Sequence, residues 1–126
     1  MKGAALLDVQ VLNQLEMQTG PAGKLRAIDE FLASLPSRLD DACNAGRIGD
    51  SQSLKNILLR IREAAGHVGA VELGNVTKSI EKVCRYGARE VILPMLCQME
   101  SVMHRTEEVF TRERISLLMT RKAFTH

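Results

Sequence analysis

Apolar side chains recur at intervals of three and four along most of the chain, the spacing of helices that turn one face to a core. The clearest stripe is Leu54, Ile57, Leu58, Ile61, Ala65 and Val68, opened by Asp50 and closed or bent at Gly69. Upstream, Leu25, Ile28, Phe31, Leu32, Leu35 and Leu39 predict a long helix from about Ala22 to about Gly46, with Pro36 inside it as the expected site of a kink. Before that, Val9, Val11, Leu12 and Leu15 form a short helix that Asp8 can cap and Gly20-Pro21 stops. Downstream, Leu73, Val76, Ile80 and Val83 predict a helix ending at Tyr86-Gly87. A last long helix runs from about Ala88 past Val91, Met95, Met99, Met103, Val109 and Phe110, with Pro94 near its start. After Thr111, the basic residues Arg112, Arg114, Arg121 and Lys122 leave little continuous apolar face, so roughly the last dozen residues are expected to fray or fold back.

Short connections make sequential helices antiparallel neighbours. The expected fold is therefore all-α, an up-and-down antiparallel four-helix bundle with a short extra N-terminal helix, Asp8 to Gln18, lying across one end. No linker or repeat divides it, and residues 1–126 are expected to form one domain.

Composition supports the class: apolar residues make up 45% of the chain and aromatics only 3%, which suits packed helices. The formal charge of +2 gives no reason to expect a general polyanion binder. The basic residues of the last third are interleaved with Glu107, Glu108 and Glu113, which favours ion pairs on a solvated face over nucleic-acid binding. Met95, Met99 and Met103 are read as core, His104 and His126 as surface residues. Cys43, Cys84 and Cys97 have neither disulfide nor zinc-finger spacing and are read as reduced, buried thiols. Asp8 interrupts the N-terminal apolar residues too early for a signal peptide or membrane span, so a cytoplasmic protein is expected. No convergent nucleophile, base or metal-ligand set marks an enzyme, a metal site or a cofactor.

The residue that stands out is Leu59. Counting roughly 100° per residue, it lies about 150° from the centre of its helix's apolar stripe and should face solvent. Lys55, Arg62, Glu63 and Gly66 share its face.

The stretch from Gly49 to Ala70, GDSQSLKNILLRIREAAGHVGA, resembles the central helix of histidine phosphotransfer (HPt) domains, which typically run from a Gly-Asp start through His-x-Leu-Lys-Gly-Ser/Ala to a Gly-Ala pair. Asp50 and Gly69-Ala70 set the same register independently, and it places Leu59 at the phosphoacceptor position. The resemblance extends upstream through Leu7-Asp8 and Phe31 to Leu39, and downstream through Glu72-Leu73 and Ile80 to Cys84.

The resemblance implies a phosphorelay bundle in which an imidazole at position 59 would attack an aspartyl phosphate of a receiver domain. Leucine has no nucleophile. Arg62 stands where the family's lysine supplies positive charge, a compatible exchange. Glu63 stands where a small residue usually lets the receiver approach, and adds bulk and negative charge. The implied function is a degenerate, non-phosphorylatable member that docks a response-regulator receiver domain or a histidine kinase as an adaptor or modulator. Its contact surface would comprise Lys55, Leu59, Arg60, Arg62, Glu63 and Gly66, in a monomer or weak homodimer with no small-molecule substrate. The alternative is an active phosphocarrier using another noncanonical site or His67, which lies roughly 80° around and 12 Å along the helix from Leu59.

Overall fold

The computed structural model describes residues 6–86 and 89–124, the last four of these in backbone only. Four helices account for nearly all of it: α1 (Val9–Ile48), α2 (Ser51–Val68), α3 (Val71–Cys84) and α4 (Arg89–Phe124). There is no strand among the described residues. Each helix packs on its chain neighbours, α4 also packs on α1, and the backbones of the diagonal pairs stay apart across the core. The bundle is thus the expected up-and-down ring of four.

Local chemistry explains the ends. Asp8 accepts a hydrogen bond from the Gln10 amide and starts α1, and Asp50 accepts from the amide and hydroxyl of Ser53 and starts α2. Gly49 and Gly69 end α1 and α2 with φ of 78° and 80°, left-handed values that suit glycine. Gly69 is doubly constrained, because a Cβ there would lie 2.8 Å from the Asp8 carbonyl oxygen and 2.9 Å from Val11 Cβ.

Within α1 the break falls at Gly20, with φ 80° and ψ 172°, conformations open essentially to glycine alone. The backbone at Pro36 stays helical. The kink expected at Pro36 is therefore absent, and the stop expected at Gly20-Pro21 is real. The short segment before the break buries Leu12 and Leu15 and joins the corner between α2 and α3, where the Asp8 amide donates to the Gly69 carbonyl at 2.8 Å. A buried Lys24 after the break pairs with Glu16 before it at 3.0 Å and ties the two segments of α1 together.

One core runs through the bundle. Leu54, Leu58, Ile61, Ala65 and Val68 of α2 meet Ile28, Phe31 and Leu35 of α1, Leu73 and Ile80 of α3, and Met99, Met103 and Phe110 of α4. The rings of Phe31 and Phe110 meet edge to face with centroids 5.1 Å apart. Met99 and Met103 are core residues as expected, with Met95 packed at its margin.

Two expectations fail here. Within the described residues the segment after Thr111 does not fold back: α4 continues to Phe124, held where Arg114 donates to Asp29 of α1 at 2.5 Å and where Leu117 packs on the core. Arg105 pairs with Glu72 of α3 at 3.1 Å; both arginines stay partly exposed, so the expected ion pairs on a solvated face are present, but their partners lie on other helices and not at Glu107, Glu108 or Glu113. The cysteines are unpaired, but only Cys84 is fully buried; Cys43 is half-buried and Cys97 exposed. The expected start at Ala88, the turn at Gly87, and His126 lie outside the described residues.

Candidate functional site

The apolar stripe of α2 fixes which face is left for solvent. Leu54, Leu58, Ile61, Ala65 and Val68 are buried, so the opposite side of the helix carries Asn56, Leu59, Arg60, Glu63, Gly66 and His67, all exposed. Leu59 is 38% exposed, against 0% for Leu58 beside it. The sequence register thus places Leu59 on the surface correctly.

Its surroundings are less symmetrical than the sequence suggested. Arg62 does not stand free: its Nε and a terminal nitrogen donate to the two carboxylate oxygens of Glu81 on α3, at 2.7 and 3.2 Å. This bidentate pair holds the guanidinium against α3 and pushes its pKa further up, first through the hydrogen bonds and then through the charge of Glu81. Lys55 is half-buried on the same flank, close enough to the buried Cys84 of α3 for its charge to oppose the rise that burial imposes on that thiol. Arg60 is exposed, and neither Lys55 nor Arg60 makes an ion pair among the described residues.

On the other flank lies an open groove between α1 and α2, about 420 Å³ in volume, lined by Phe31, Ser34, Arg38, Ala64, His67 and Val68 among others. His67 belongs to this groove and not to the Leu59 and Arg62 side. Gly66 faces open space, with no atom within 4 Å of where a Cβ would lie, so a partner's backbone can come close there.

Sequence reasoning therefore located the face but missed two features. Glu81 capturing Arg62 depends on the register between α2 and α3, and Arg38 joining His67 depends on that between α1 and α2. Neither register is a property of any one helix. No group of three or more metal-ligating side chains occurs among the described residues, and no helix there is long and apolar enough to cross a membrane.

The described residues thus form a ring of four helices whose second member carries an exposed Leu59 flanked by basic side chains. The Hpt domain model matches residues 26–109, and the chain belongs to that family. Among solved structures it is similar to histidine-containing phosphotransfer protein B of Pseudomonas aeruginosa PAO1, with a TM-score of 0.83 and 25% identity over 90% of this chain and 98% of that one. A rice protein assigned to the histidine-containing phosphotransfer class shares the fold, with a TM-score of 0.68 and 14% identity over 90% of this chain and 85% of that one. No curated protein sequence matches the chain.

Proposed function

We propose that this member of the phosphorelay family docks a response-regulator receiver domain or a histidine kinase without carrying phosphate itself, and so acts as an adaptor or modulator. The observation that carries the reading is the side chain at position 59: a surface leucine stands where the family resemblance expects the accepting imidazole. Phosphoryl transfer needs a lone pair to attack phosphorus, and an aliphatic carbon chain offers none. The neighbours point the same way. Arg62 is already occupied by Glu81, and the exposed Glu63 would repel a phosphoryl group.

What remains suits binding. Leu59 supplies an apolar anchor at the centre of the face, Lys55 and Arg60 bring positive charge suited to an acidic partner surface, and Gly66 admits a close approach. No cofactor is needed for such a role.

Two measurements test this reading. Incubation with a phosphorylated receiver should leave no acid-labile phosphate on the chain; label on His67 would replace the adaptor reading with that of an active carrier. Titration of receiver or kinase domains against Leu59→Asp should show binding reduced at least about tenfold, a loss of about 1.4 kcal/mol. Unchanged affinity in that variant would remove Leu59 from the interface.

A further inference from the structure

Docking through α2 leaves the three cysteines without a role, and the seam between α1 and α4 brings two of them level. These helices run antiparallel: Asp29 binds Arg114, Phe31 meets Phe110, and Gly46 lies against Leu96 and Leu93. Three residues back along α1 from Gly46 stands Cys43. The register sets it beside the turn of α4 from Leu96 to Met99, and Cys97 lies within that turn. Cys43 is half-buried and Cys97 exposed, so the pair sits at the margin of the seam with one sulfur open to solvent.

The spacing suits a covalent link. The seam is tight near Cys43, since a Cβ added at Gly46 would lie 2.5 Å from Leu96 Cδ1. Helix axes about 8 to 10 Å apart leave facing Cα atoms roughly 4 to 6 Å apart, and a disulfide spans about 4.4 to 6.8 Å. The electrostatics of Cys43 agree with the register. Burial and then the charge of Glu100 push its thiol pKa up against the pull of Arg47, and Cys97 adds to the rise from α4, as Asp40 does from α1. A thiol held in that way is the slower of the two to attack an oxidant from solvent. Cys84, buried on α3 diagonally across the ring from α1, is no competitor for Cys43.

We infer that Cys43 and Cys97 are a redox-modification site, joined by a reversible disulfide across the α1 and α4 seam when the chain meets a hydroperoxide. The exposed Cys97 sulfur attacks one peroxide oxygen and the O–O bond breaks. This leaves a sulfenic acid on Cys97, and the departing hydroxide takes the thiol proton to become water. The Cys43 sulfur then attacks the Cys97 sulfur, the S–O bond breaks as the S–S bond forms, and the hydroxyl leaves with the Cys43 proton as a second water. Two thiols are oxidised and one hydrogen peroxide is reduced to two waters. The bridge encloses α2 and α3 in one covalent loop and ties the first helix to the last, while the Leu59 face stays open. What Leu59 binds has no bearing on it.

Intact-mass spectrometry after treatment with hydrogen peroxide at low protein concentration tests the bridge. The unaltered chain should become lighter by two hydrogens, peptide mapping should join Cys43 to Cys97, and dithiothreitol should reverse both changes. The melting temperature of the oxidised chain should rise by at least about 5 °C, because the link restricts the unfolded state. Cys43→Ser and Cys97→Ser should each keep the helical circular-dichroism spectrum and lose both the mass change and the rise. In Cys43→Ser, dimedone should capture more sulfenic acid on Cys97 than in the unaltered chain, since the second thiol is gone. Oxygen added to Cys97 with no bridge formed would overturn the inference. So would a bridge that includes Cys84, or a main product of two chains linked through Cys97.

Discussion

Position 59 concentrates the difference between a carrier and a binder in one side chain. Since Leu59 is 38% exposed, Leu59→His leaves no closed cavity and should change stability by no more than about 1 kcal/mol, measurable by urea unfolding. The new imidazole would still accept little or no phosphate from a phosphorylated receiver, with Glu63 beside it and Arg62 held by Glu81. Adding Glu63→Gly should improve transfer at a cost of about 0.5 to 1 kcal/mol for glycine in a helix. Efficient transfer by Leu59→His alone would show that neither neighbour matters. At this scale the sequence was legible where one helix decides the answer: the stripe of α2 correctly turns Leu59 outward and Ile61 inward. It was silent on the partner of Arg62, because Glu81 lies on another helix.

For the helices, the strongest signals were those with a backbone reason. Gly20, Gly49 and Gly69 all adopt positive φ; Gly20 and Gly69 break or end a helix where the sequence suggested, whereas α1 runs past its expected end at Gly46 and stops at Gly49. Pro36 misled, since a proline removes one amide but does not force the chain out of helical dihedrals when the flanking turns are anchored by Phe31, Leu35 and Leu39. At the end of α4 the expected ion pairs formed with unforeseen partners, Arg114 reaching Asp29 on α1, because no single-helix pattern shows what lies across the seam. Gly66 gives a test within α2. With open space around it, Gly66→Ala should stabilise the bundle by about 0.5 to 1 kcal/mol, while its methyl group weakens any partner that packs closely on that face. A destabilised variant would mean the glycine has a role within the fold. The α2 cap gives another. Its hydrogen bonds with Ser53 hold the Asp50 carboxyl below its usual pKa, so the cap contributes fully above the unfolded value of about 3.9 and is lost as pH falls through the lower folded value. Melting temperature followed from pH 6 downward should therefore drop less steeply for Asp50→Asn than for the unaltered chain.

In the whole molecule, short connections and one shared core made the ring of four legible before its contacts were known. Which residues meet across each seam was not, because sliding one helix along another by a turn preserves both stripes. Gly46 marks one such seam, bringing α1 so near α4 that an added Cβ would lie 2.5 Å from Leu96 Cδ1. The ring has a thermodynamic consequence. Leu59 lies on the exposed side of α2 and Leu118 on the exposed side of α4, and the backbones of these two helices, at opposite corners of the ring, do not come close. Perturbations at the two surfaces share no direct partner and should sum without an interaction energy. The free energy of unfolding of the variant combining Leu59→Asp with Leu118→Glu should equal the sum of the single effects to within about 0.5 kcal/mol. A larger discrepancy would mean that α1 or α3 conducts strain from one corner of the ring to the other, and that what happens at one surface is felt thermodynamically at its opposite.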